Sequence, residues 1–79
     1  AYAGAYEHPA YGRIEFTMVG DRLEASMGLL WSPVEVYDGD KNALRVEFAG
    51  AGRVVVFRFG DGGKAESLEH NKIIFKRVK

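Results

Sequence analysis

The strongest constraint on this chain is a two-residue alternation of apolar and polar side chains, which glycine interrupts at short intervals. It is clearest over residues 13–18, where Ile14, Phe16 and Met18 share one side of an extended backbone. Ten glycines and two prolines supply the turns between such segments. No window of eleven or more residues keeps the spacing of an amphipathic helix. The sequence therefore predicts an all-β protein.

The alternation recurs along the whole chain and predicts about eight short strands. The predicted segments are 2–7, 13–18, 22–27, an irregular stretch 28–37 containing Pro33, 44–48, 54–59, 65–69 and 73–78. Short connections favour antiparallel hairpins. Closing such a sheet into a small up-and-down β-barrel hides its apolar face and its edges, and an open two-sheet sandwich is the alternative.

A barrel of this size is expected to be filled by its own side chains. The side chains expected inside are Ile14, Phe16, Met18, Leu23, Met27, Leu44, Val46, Phe48, Val55, Phe57 and Phe59. The closing segment, residues 72–79, is expected to form a strand with a charged outer face. Residues 1–79 then form one domain, and the missing initiator methionine predicts that a leader was removed or that the chain is a fragment of a longer protein.

Charge and composition exclude several classes of function. Eleven basic and eleven acidic residues cancel, so the chain lacks the basic surface expected of a nucleic-acid-binding protein. No apolar run approaches the roughly 20 residues that span a bilayer as a helix. The absence of cysteine excludes disulfides and thiolate metal sites.

The search for catalytic and metal-binding motifs is negative. Asp38-x-Asp40-x-Asn42 resembles the opening of a calcium loop but lacks its later glycine and glutamate, so a solvated turn is favoured. Two histidines, His8 and His70, are too few for a histidine metal site, and both are interpreted as surface residues. The sequence predicts no metal and no cofactor.

No serine occupies a recognisable nucleophile motif. Ser67 and His70 are close in the sequence, but the Gly-x-Ser-x-Gly and Ser-x-x-Lys patterns are missing. We therefore predict that the chain is not an enzyme.

Five aromatic residues lie near predicted strand ends or turns, where a ring with a polar tip suits a barrel rim. They are Tyr2, Tyr6, Tyr11, Trp31 and Tyr37. Their favoured role is to close the barrel ends. The alternative is an exposed interaction patch or the mouth of a ligand pocket.

Several segments, taken in order, resemble a bacterial domain of unknown function. They are residues 3–9 and 11–14, Asp21-Arg22-Leu23, Val55-x-Phe57 with Gly63-Lys64 and Ser67-Leu68, and residues 74–78. That family has a lipocalin-like β-barrel and typically lies C-terminal to a β-lactamase-like or penicillin-binding-protein-like serine hydrolase domain.

The resemblance implies a C-terminal module of a longer protein, a non-catalytic accessory domain that packs on a neighbouring serine hydrolase domain or supports assembly. It also implies a periplasmic or secreted protein, a location that the residues themselves do not reveal. The alternative function is a barrel that binds a small hydrophobic ligand, for which the predicted filled interior leaves little room.

Overall fold

The computed structural model describes residues 2–48 and 50–78, and they form a nearly closed antiparallel β-barrel of nine strands. The strands are β1 (Gly4–His8), β2 (Gly12–Val19), β3 (Arg22–Met27), β4 (Leu30–Pro33), β5 (Glu35–Asp38), β6 (Ala43–Phe48), β7 (Ala51–Phe59), β8 (Ala65–His70) and β9 (Ile73–Arg77). A single turn of 3-10 helix, Gly39–Lys41, joins β5 to β6. The predicted all-β barrel is confirmed.

The strand order is β4-β3-β2-β1-β9-β8-β7-β6-β5, so the first and last strands of the chain are neighbours. Each hairpin pairs consecutive strands, as short connections require. β1 and β9 are joined by a shorter ladder, in which Tyr6 lies opposite Arg77 and Glu7 opposite Lys76. This pairing makes the two ends of the chain part of the barrel wall.

The strand count exceeds the prediction because the irregular segment 28–37 divides in two. β4 and β5 occupy the outermost positions of the hydrogen-bonded order, yet only Val34 separates them in the chain. Pro33, which has no N–H to donate, ends β4 at this break. The two strands therefore act as one kinked strand that brings the two edges of the sheet together. We call this junction the seam.

Side chain and backbone both contribute to closing the seam. The fully buried Ser32 hydroxyl accepts a hydrogen bond from the Glu47 N–H of β6 at 2.7 Å and donates to the Pro33 carbonyl at 2.6 Å. The Val34 N–H donates to the Leu23 carbonyl of β3 at 3.1 Å, which extends the β3–β4 pairing past Pro33 and keeps the chain attached to β3 up to the seam. Ser32 thus supplies a cross-strand contact where no β4–β6 ladder forms.

The core lies in the middle of the barrel, around three aromatic rings. Tyr6, Phe16 and Phe57 come from β1, β2 and β7, and their ring centres are 5.1 to 6.0 Å apart in edge-to-face contacts. Each such contact contributes roughly 0.5–1.5 kcal/mol beyond simple burial. The other large buried apolar residues are Ile14, Leu44, Val46, Phe48, Val55, Leu68 and Phe75.

Two residues that were expected in the core are largely exposed. Met18 and Phe59 lie on the inner face, as the alternation predicts, but they are 53% and 37% exposed. Both occupy strand ends at one mouth of the barrel, where the wall does not enclose them. Leu23 and Met27 are partly buried against the core.

The sequence predicts that Tyr6 lies at the barrel rim, and this prediction is wrong. Tyr6 is a fully buried core residue. Its hydroxyl donates to the Tyr2 carbonyl at 2.7 Å and accepts from the Arg77 guanidinium at 2.8 Å. Arg77 also donates to the carbonyls of Ala3 and Ala65. Burial raises the pKa of Tyr6, an effect that the nearby Arg77 charge partly offsets.

Arg77 is an exception to the expected charged outer face of the last strand, on which Lys76 is exposed. Arg77 shares the inner side of β9 with Ile73 and Phe75, and its guanidinium lies 5.0 Å from the centre of the Tyr6 ring. A cationic group and a phenol that satisfy each other can be buried at a much lower cost than either alone.

We expect Ser32→Ala to destabilise the protein by about 1–3 kcal/mol, because the Glu47 N–H loses its acceptor at a partly buried position. Chemical denaturation measures the change, and hydrogen exchange of the Glu47 amide should accelerate. Ser26→Ala, on neighbouring β3, is the control and should change stability by less than about 0.5 kcal/mol. Equal effects of the two substitutions would contradict the role of Ser32 at the seam.

Tyr6→Phe keeps the ring and removes the hydroxyl, so it should cost about 1–3 kcal/mol through the groups left unsatisfied on Arg77 and Tyr2. Thermal unfolding monitors this loss. Tyr11→Phe changes the same atoms on a ring that is 59% exposed and should be nearly neutral. A neutral Tyr6→Phe variant would show that the hydroxyl contributes nothing to holding β1 and β9 together.

Candidate functional site

The antiparallel strands give the barrel two different ends. The turns at 9–11, 28–29, 50 and 71–72 lie at one end, and those at 20–21, 39–42 and 60–64 lie at the other. All four aspartates of the chain lie at the second, which we call the acidic end. None of the described turn residues at the first is acidic, and Lys72 lies at its tip, so we call it the cationic end.

An apolar groove of about 410 Å³ opens beside the seam at the acidic end. This seam groove is lined mainly by Tyr2, Met18, Leu23, Trp31, Val34 and Val36. Val36 is 72% exposed and Trp31 is 58% exposed. The groove exists because β4 and β5 diverge at Val34 and leave inner-face residues uncovered.

The Trp31 indole is held in place at the edge of this groove. Its Nε1 donates a hydrogen bond to the Glu24 carboxylate at 3.0 Å, across the β3–β4 pair. Tyr2 is similarly fixed, since its hydroxyl donates to the Asn42 side chain and its ring packs 4.8 Å from that of Phe57. The aromatic groups at the groove are thus ordered before any partner arrives, which lowers the entropic cost of binding.

A second apolar cavity, of about 400 Å³, opens at the cationic end. Its floor consists of the buried side chains Ile14, Val46, Phe48, Val55 and Phe75. Tyr11, Met27, Leu30 and Ile73 form the walls, and Arg53, His70 and Asn71 complete the rim. Tyr11 is supported from behind by the His8 ring, 4.9 Å away, which in turn packs on Phe75.

Two basic side chains meet at this rim. Arg53 lies opposite Val46 and two residues before Val55, so it belongs to the inner face of β7. His70 shares the inner face of β8 with the buried Leu68. Burial lowers the pKa of His70 and the positive charge of Arg53 lowers it further, so the imidazole is neutral at pH 7. The fixed charge of the rim is therefore that of Arg53.

The predicted rim aromatics divide between these surfaces. Tyr2 and Trp31 line the seam groove and Tyr11 lines the cationic-end cavity, whereas Tyr37 is exposed on β5 without lining either. Tyr6 lies between the two in the core. The five residues thus do not form one patch.

The structure shows how the candidate catalytic and metal-binding residues are placed. Ser67 and His70 are three residues apart on one strand and so face opposite sides of the barrel wall, which prevents them from forming a hydrogen-bonded dyad. Asp38 accepts a hydrogen bond from the Asp40 N–H in the 3-10 turn, as in an ordinary capped turn. Residues 2–48 and 50–78 contain no cluster of three metal-ligating His, Asp or Glu side chains.

Arg53 and His70 are the rim residues that the sequence reasoning missed as a pair. The signal was present, because Arg53 keeps the two-residue phase of Val55 and Phe57, and His70 keeps that of Leu68. That phase places both polar groups on the inner side, but only the strand order shows that they meet.

Comparison of the chain with protein-family models, with curated proteins and with solved structures finds no match. Within the part of the chain that the structure describes, no helix has the length and apolar character needed to cross a bilayer.

The rim electrostatics predict that Arg53→Gln raises the pKa of His70 while leaving it below the ordinary value of about 6.5, because burial remains. Nuclear magnetic resonance titration of the imidazole measures this, with His70→Gln assigning the signal. Because the unfolded chain binds the proton more readily, His70 makes the wild type lose stability relative to His70→Gln as the pH falls below about 6.5. An unchanged midpoint in Arg53→Gln would show that the two groups do not interact.

Proposed function

We propose that the protein is a non-catalytic binding module that packs on another protein domain through the seam groove. The observation that carries the proposal is the exposed apolar surface formed by Trp31, Val36 and Met18 beside the open edges of β4 and β5. Exposed apolar surface of this kind, bordered by polar residues, is typical of protein–protein contacts.

The charges around the groove favour a protein over a nucleic acid or an anionic membrane. Asp21, Glu24 and Glu35 border it together with Arg22, so the rim carries both signs with an acidic excess. A mixed rim around an apolar centre is the usual composition of an interface between two proteins. The chain as a whole carries no net charge that would attract a polyanion.

The partner that we propose is a β-lactamase-like or penicillin-binding-protein-like serine hydrolase domain. The support for this class is the resemblance of the barrel's hairpin segments to accessory domains that follow such hydrolases. Within this proposal catalysis belongs to the partner, and the barrel contributes packing, assembly or the shape of the cleft. The same resemblance supports a periplasmic or secreted location.

The test begins with the gene, because the proposal expects such a hydrolase domain in the same polypeptide or complex. Binding of the barrel to that domain is then measured by titration calorimetry. Trp31→Ser with Val36→Thr should weaken binding about tenfold or more, since aromatic residues dominate interface energies. The control is Val54→Thr with Ile74→Thr, which changes exposed apolar residues on the outer wall and should bind normally.

Two outcomes would contradict the proposal. One is a gene context without a hydrolase domain together with no measurable binding. The other is an equal loss of affinity in the seam and control variants, which would place the contact elsewhere or make it non-specific.

A further inference from the structure

The cationic-end cavity differs from the seam groove in having a fixed positive charge over a buried apolar floor. Its volume of about 400 Å³ falls within the range of sites that hold small organic molecules. The floor residues Val46, Phe48 and Val55 are each at most 3% exposed, so the apolar surface that a ligand would remove from water belongs mainly to the exposed walls, Tyr11 and Leu30. A closely packed floor with apolar walls suits a hydrocarbon group.

Within residues 2–48 and 50–78, no carboxylate or hydrogen-bond acceptor contacts the guanidinium of Arg53. Arg58, five residues along the same strand but on the outer face, pairs with Glu69 at 3.1 Å. The outer wall thus neutralises its arginine, whereas the inner rim leaves the charge of Arg53 facing the cavity.

The surroundings of Arg53 favour an anion from outside. The described turns of this end contain no Asp or Glu, and Asn71 and Lys72 form a two-residue turn whose positive φ angles, 53° and 67°, place Lys72 at the tip. Burial lowers the pKa of His70, the other basic group on the rim, and the positive charge of Arg53 lowers it further. An incoming anion therefore meets positive charge without competition from a neighbouring carboxylate.

We propose that this cavity binds a small amphipathic carboxylate, with its hydrocarbon chain on the apolar floor and its carboxylate on Arg53. The planar guanidinium presents paired donors that match the two oxygens of a carboxylate. The buried floor residues Ile14, Phe48 and Phe75 limit the depth of the cavity and therefore the chain length that fits. This site is separate from the seam groove and does not depend on the function proposed for that groove.

The two methionines of the chain provide a built-in test, because Met27 lines the cationic-end cavity and Met18 lines the seam groove. The 79-residue chain, labelled at its methionine methyl groups, is titrated with decanoate below its micelle-forming concentration. The methyl signal of Met27 should shift and saturate, and that of Met18 should not.

Charge recognition is tested with decanol and with two arginine variants. Decanol has the same chain length without the carboxylate and should bind about tenfold more weakly. Arg53→Gln should abolish this preference for decanoate, while Arg58→Gln, which removes the outer arginine of the same strand, should retain it. Both arginines are solvent-exposed, so neither variant should prevent folding.

Three results would overturn the proposal. They are the absence of a saturable Met27 shift, equal affinity for decanoate and decanol in the wild type, and a shift of Met18 alone, which would place the hydrocarbon in the seam groove. None of these depends on binding of a hydrolase domain, so failure here is distinguishable from failure of the proposed function.

Discussion

The contact on which the rest of the barrel depends is the edge-to-face cluster of Tyr6, Phe16 and Phe57. β2 and β7 are separated by three other strands in the sheet, so the Phe16–Phe57 contact, with ring centres 5.1 Å apart, joins opposite walls. Packing these rings against each other curves the sheet and brings its two edges close together. The kinked strand at Val34 then connects the two edges and closes the barrel. Because the rings fill only the middle, they leave an apolar opening on either side.

At the seam the barrel closes without a continuous ladder of backbone hydrogen bonds between β4 and β6. Ser32 satisfies the Glu47 N–H with a side chain, which is a local solution at one point along the junction. Towards the acidic end the strands separate, and Val36 remains exposed although it lies opposite the buried Leu44. The break in strand pairing at Pro33 therefore also creates the exposed apolar surface that we assign to a partner domain.

Much of the fold is readable from the two-residue alternation, which correctly places Phe16, Val46 and Phe57 inside the barrel. Alternation reports the face of a strand but not the depth along the barrel axis, and for this reason Met18 was expected to be buried. It also assigns polar side chains outwards by default. Tyr6 and Arg77 break that default because each satisfies the other, through a β1–β9 register that joins residues 71 positions apart.

The candidate sites were less predictable than the fold, since both depend on which strand ends meet. All four aspartates lie at one end, where Lys41 and Lys64 accompany them, whereas Arg53 and Lys72 lie at the other end, whose described turns contain no carboxylate. Fields from such ends are strongest where solvent is partly excluded, as at a cavity rim with an apolar floor. The same charges spread evenly over the outer wall would be screened and paired, as Arg58 and Glu69 are. The position of Arg53, on the inner face at the mouth of the barrel, therefore points to a candidate binding site that the net charge of the chain does not reveal.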